Sequence, residues 1–61
     1  MPNLTAEELK ALEDELNCEQ LLVKKYHSYA ALAQDKVIRD SCLQIANRHK
    51  QHFDTLMSHL N

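Results

Sequence analysis

The chain contains no glycine, and its single proline is Pro2. These are the two residues that interrupt helices most strongly, so beyond the first few positions nothing in the backbone chemistry breaks one. Leu, Ala, Glu, Lys and Gln supply about half of the chain, and strands have little to build on. The sequence therefore predicts an all-α protein. Its first helix carries a complete start signal: Thr5 is an N-cap, and Glu8 at the third helical position closes a capping box. Leu4 and Leu9 bracket that box as a hydrophobic staple.

From that start, Leu9, Leu12, Leu16, Glu19, Val23, Tyr26, Ala30 and Ala33 recur at alternating threes and fours, the spacing of a core-facing seam. Leu22 and Tyr29 widen it on one flank into the apolar face of a bundle helix. A second seam runs Ile38, Cys42, Ile45, His49, His52, Leu56 and His59, flanked by Ala46, Phe53 and Leu60. Continuing the first register past Ala33 lands on Val37, Asp40, Gln44, Asn47, Gln51, Asp54 and Ser58, almost all polar. The second seam is offset from it by two residues, which is about 200° of rotation, so a continuous rod would carry its stripes on opposite faces. A reversal brings them together. The expected organisation is one hairpin over residues 1–61, with helix 1 at about 5–33, a turn at about 34–35 and helix 2 at about 36–60. Asp35 serves as the second N-cap. With no glycine to take the left-handed position after helix 1, the form of the turn is open.

At 61 residues the chain is near the size at which one core is too small and a disulfide, a metal or a second subunit is needed. Cys18 and Cys42 stand at hairpin levels about 13 Å apart, too far to bridge, and read as free thiols. A two-helix hairpin is one layer and leaves apolar surface bare. The expected solution is a homodimer of antiparallel hairpins forming a four-helix bundle. A monomeric molten hairpin and a different helical partner are the alternatives.

Charge excludes other classes. The net charge of −2 comes from seven basic and nine acidic residues interspersed along the chain, which argues against nucleic-acid binding. Lys24-Lys25, and Arg48 with Lys50, are the densest basic spots, and at helical spacing they read as a solvated face rather than a phosphate site. Met1-Pro2-Asn3-Leu4-Thr5 has neither the basic segment nor the apolar run of a signal peptide, and no stretch approaches membrane-spanning length. The expectation is a soluble protein of a reducing compartment, with no membrane partner.

The polar members of the two seams are the candidate site. Counting outwards from the turn, Glu19, His49 and His52 all fall about 22–26 Å from it, at one level of the hairpin. They lie near the midpoints of their helices, so a two-fold axis at mid-height would gather both copies of all three. A buried carboxylate is costly unless paired or coordinated. His49-x-x-His52 on one helix face, with a facing Glu, forms a donor set suited to divalent Zn, Fe or Mn. The competing reading pairs Glu19 with a protonated His49 or His52 as an ionic layer that fixes register. Around this cluster, Glu15 is either a further carboxylate or solvated, and Tyr26 either a supporting phenol or a packed aromatic. His27 reads as a solvated flank residue and His59 as a helix-terminus histidine.

In this arrangement the chain resembles the ferritin-like superfamily, where one helix supplies a Glu and the next an E-x-x-H, repeated in a second helix pair. It looks like half of that repeat. More narrowly, Glu19-Gln20-Leu21, Lys25-Tyr26-x-x-Tyr29-Ala30, Asp35 and Ile45-Ala46-x-x-His49-x-x-His52-x-x-x-Leu56 resemble the short proteins of spore-forming Firmicutes related to spore coat protein F. The resemblance implies a homodimeric ferritin-like structural or metal-binding protein with a central Glu/His site, cytoplasmic or in the spore coat, with other coat proteins as partners. Where the family pattern has the Glu of E-x-x-H, this chain has His49, so a dimer would hold two carboxylates and four imidazoles. That set disfavours a high-valent di-iron centre. A minimal di-metal oxidase or peroxidase of rubrerythrin-like type and a metal-free helical adaptor are the other functions considered. No nucleophile arrangement or phosphate loop is present, so structure or binding is favoured over catalysis.

Overall fold

The structure, a computed structural model, describes residues 4–60. It is a hairpin of two helices, α1 (Ala6–Leu32) and α2 (Lys36–Ser58). The capping box forms as read: the Glu8 amide donates to Thr5 Oγ1 and the Thr5 amide to Glu8 Oε1, both at 3.0 Å. These contacts, the Thr5 amide first and its side chain second, hold the Glu8 carboxyl below its usual value. At the other start, Asp35 Oδ1 accepts the Ile38 amide at 3.0 Å.

The turn needs no glycine because no described residue takes a positive φ. Ala33 ends α1 in an extended conformation (φ −72°, ψ 129°), and its amide reaches back to the carbonyls of Tyr29 and Ala30 at 3.0 and 3.3 Å. Asp35 is extended as well (φ −78°, ψ 128°). Two extended residues around Gln34 thus reverse the chain within conformations that any L-residue adopts. At the far end α2 stops at Ser58, slightly short of residue 60, and His59 caps it in a tightened last turn.

Between the helices, α1 presents the expected seam: Leu12, Leu16, Glu19, Val23, Tyr26, Ala30 and Ala33 are buried or half-buried, and Leu22 joins them. Leu9 stays exposed near the open end. The seam of α2 differs from expectation. Cys42, Ala46, His49, Phe53, Leu56 and Leu60, with Ile45 alongside, turn inward, whereas Ile38, His52 and His59 are exposed. The stripe is rotated toward Ala46, which is fully buried. A methyl side chain lets the helix axes approach there, and burying the Phe53 ring is cheaper than burying the polar ring of His52.

The core remains thin. Leu16, Ala30 and Ala46 are the buried residues among those described, while Leu21, Leu32, Val37 and Ile38 are all more than half exposed. The chain shows 4875 Å² to solvent, against about 4,100 Å² for a compact monomer of its mass. Its radius of gyration is 14.3 Å, where a compact chain of this length has about 10.5 Å. Three exposed i,i+4 pairs, Lys10–Asp14, Lys36–Asp40 and Lys50–Asp54, add little at the surface. Neither described helix is long and apolar enough to cross a membrane.

The caps carry a prediction. Asp35→Ala should lower stability by about 1 kcal/mol in thermal or urea unfolding followed by circular dichroism, with Asp35→Asn retaining most of it. Because the carboxyl of Glu8 is held below its usual value, its support of the first turn is present at neutral pH. That support is lost as pH falls below about 4.5, through the lowered value. The Thr5 amide resonance should report this loss, and Glu8→Gln should remove the titration.

Candidate metal centre

Mid-hairpin, α1 and α2 meet at Glu19. One carboxylate oxygen, Oε1, lies 2.8 Å from His49 Nδ1, and the other, Oε2, lies 3.0 Å from His52 Nδ1. A carboxylate accepts and does not donate, so His49 Nδ1 carries the proton of its hydrogen bond to Oε1, while His52 meets Oε2 at ion-pair distance only. The sequence expectation that these three residues share one level is met. Donor atoms of all three lie within 4.8 Å of one another, and among the described residues this is the one cluster of its kind.

The three side chains are not equivalent. Glu19 retains 13% of its side-chain exposure and His49 22%, while His52 retains 63%. His49 is fixed on two sides: Glu19 holds its Nδ1 edge, and Tyr26 stacks on its face with ring centres 6.0 Å apart and planes at 23°. Tyr26 is in turn met edge-on by Tyr29 at 5.5 Å, and Lys25 lies 5.9 Å above the Tyr29 ring. The phenol expected as either support or packing is an aromatic wall for His49. His52 has only the carboxylate and stands edge-on to His49 at 5.8 Å.

Beside His52 the surface opens into a hollow of about 460 Å³ lined by Glu15, Cys18, Glu19, His52, Thr55 and Leu56. Glu15 is exposed and lies beside the cluster, outside the three-residue group. Cys18 and Cys42 are free thiols. His27 and His59 are exposed and take no part. The hollow was not legible as such from the seams, although Cys18 and Glu15 lie one position before and one turn before Glu19, which is the signal that finds it.

No family model, curated protein or solved structure matched the chain when it was compared with each.

What the cluster can do follows from its donors. One hard carboxylate and two borderline imidazoles form a donor set that suits Zn, Fe or Mn. Without an ion Glu19 already accepts the His49 ring N–H and has His52 in contact with its second oxygen, and no buried side-chain polar atom among the described residues lacks a partner. Under metal-free conditions, Glu19→Ala should therefore destabilise the protein by about 1–3 kcal/mol by orphaning the half-buried His49 Nδ1–H. Glu19→Ala combined with His49→Leu should recover much of that loss in the same urea unfolding series.

Proposed function

We propose that the chain is a small homodimeric metal-binding protein of structural role, a half-bundle of ferritin-like type whose two hairpins pair over a shared Glu19/His49/His52 centre. The observation that carries this reading is the state of the cluster in one hairpin. It is organised by Glu19 and Tyr26 on its inner side, yet His52 stands largely exposed on the side that a second layer would cover.

That side also carries an apolar strip on each helix. At about 100° per residue, Cys18, Leu22 and Tyr29 fall within about 40° of one another on α1, and Ile38, Ile45, His52 and Leu56 do so on α2. Cys18, His52 and Leu56 line the same hollow, so both strips belong to one face of the hairpin. The opposite face opens on Gln20 and Lys50 beside Val23 and Phe53. A self-complementary patch crossed by a two-fold axis is the commonest way to bury such a face, and it would meet the surface excess noted above. Two Glu19 and four imidazoles would then converge, with the two carboxylates balancing the charge of one divalent ion. The resemblance to spore coat protein F-like chains supports the same reading and suggests a coat or cytoplasmic setting with coat proteins as further partners.

A second reading has its own support: the cluster is satisfied without an ion, so a metal-free helical adaptor whose polar layer sets pairing register fits the same contacts. Metal analysis separates the two. Freshly purified protein should contain close to one divalent ion per dimer, EDTA should lower its melting temperature, and His52→Ala should abolish uptake while a helical dimer remains. A protein free of metal, with melting indifferent to EDTA, supports the adaptor instead.

The pairing face is tested by sedimentation. Wild-type chain should run at twice its mass, Tyr29→Asp or Ile38→Asp should give monomers, and Met57→Asp, beside Lys50 on the other face, should leave the dimer intact. A wild-type monomer sinks the homodimer. A dimer broken by Met57→Asp but not by Ile38→Asp places the interface on the wrong side.

A further inference from the structure

On the pairing face, we infer that two copies of the chain lie antiparallel with α1 stacked on α1. The partner's Leu22 then enters the hollow beside His52, and the partner's Lys25 closes on Glu15 at its rim. The inference rests on the homodimer reading above, not on the metal, and specifies how the two surfaces meet.

Its basis is a second seam on α1. Ala11, Glu15, Cys18, Leu22, Lys25 and Tyr29 recur at alternating fours and threes, and at about 100° per residue they fall within about 80° of one another. This seam is distinct from the one packed on α2, since Leu22 is half-buried and the other five are exposed. It looks out on the same side as the hollow, whose α1 wall is Glu15, Cys18 and Glu19.

Stacked hairpins related by a two-fold axis can pair in two ways. An axis along the helices sets α1 on the partner's α2. An axis across them sets α1 on α1 in the opposite direction, so that residues equally far to either side of the axis meet. Placed at Gln20, one residue past the middle of α1, such an axis brings Cys18 to the partner's Leu22, Glu15 to the partner's Lys25 and Ala11 to the partner's Tyr29. Each pairing occurs twice, and all three are complementary. A thiol packs as a small apolar group against the leucine, a carboxylate meets an ammonium, and a methyl group leaves room for a ring.

The charges favour this arrangement. Lys10, Lys36 and Lys50 each have an aspartate four residues on, whereas Glu15 and Lys25 have no ionic partner among the described residues. They stand about 15 Å apart on their own helix, out of mutual reach. Lys25 leans over the Tyr29 ring at 5.9 Å, which keeps its ammonium on the pairing face. An axis along the helices instead sets Lys25 level with the partner's Ser41 and Ile45, neither of which offers a counter-charge.

The second helix agrees with the same axis. The strip Ile38, Ile45, His52 and His59 is centred between Arg48 and His49, about 21 Å from the turn, while Gln20 is about 22 Å from it. Glu19 and His49 then lie within about 2 Å of the axis in height and His52 about 5 Å from it, so the shared centre is kept.

Charge exchange tests this on the full chain by sedimentation equilibrium at low salt. Glu15→Lys and Lys25→Glu should each weaken the dimer by about 10–100-fold, because two attractive contacts become repulsive, with helicity unchanged by circular dichroism. Combined in one chain, the two substitutions should return the affinity to near that of wild type. An equimolar mixture of the two single variants should form mixed dimers, since each chain supplies the sign that the other lacks. Single variants that dimerise like wild type, a double variant no tighter than the singles, or a mixture that stays monomeric overturns the antiparallel seating while the dimer itself stands. Wild-type protein that sediments as a monomer overturns the homodimer reading along with it.

Discussion

A carboxylate placed inside a two-helix hairpin constrains everything around it. Glu19 lies in the middle of the α1 seam, where withdrawing a charge from water is unfavourable unless its oxygens are occupied. The groups that occupy them come from α2, one 2.8 Å and one 3.0 Å away. This link across the hairpin fixes the register of the helices more narrowly than apolar contacts do, since a one-residue slip would separate both histidines from the carboxylate. It also explains the asymmetry of the centre: His49 is drawn in under Tyr26, and His52 is left at the edge.

The remainder of the fold is economical. Three buried residues among those described are few for a chain of this length, and two of them are alanines whose value is close helix approach rather than buried area. Helix identity is supplied locally, by the Thr5–Glu8 box, by Asp35 and by composition. Local preference of this kind makes helices but does not assemble them. The face carrying Leu22, Tyr29, Ile38 and His52 is the surface on which assembly would act.

Much of this architecture was legible in the residues. The seam of α1 was readable because Leu12, Leu16, Val23 and Ala30 repeat cleanly and bury as their spacing indicates. The reversal was readable because the two seams fall out of phase. The α2 seam was harder, since Ile45 and Ala46, and His52 and Phe53, are adjacent pairs in which either member satisfies a three-four rhythm. Packing chose Ala46 for closeness and Phe53 for its apolar ring, a preference that periodicity does not carry. The cluster was recoverable from arithmetic on an antiparallel pair, but the use of both carboxylate oxygens, and of Nδ1 in both rings, depends on side-chain geometry.

The connection at Ala33-Gln34-Asp35 has one further consequence. Ala33 and Asp35 occupy ordinary extended conformations, and no described residue takes a positive φ. Bringing the connection to helical values, by rotating ψ at Ala33 and Asp35 among others, would merge α1 and α2 into one rod, at the expense of the Asp35 cap. Each rod would then find, on a second straightened chain, the same helix partner that it lost within its own. Hinges this short and this unspecialised are where domain swapping arises. Folding at high concentration therefore offers this chain an exchanged dimer built from the same Glu19–His49 contacts as the closed one.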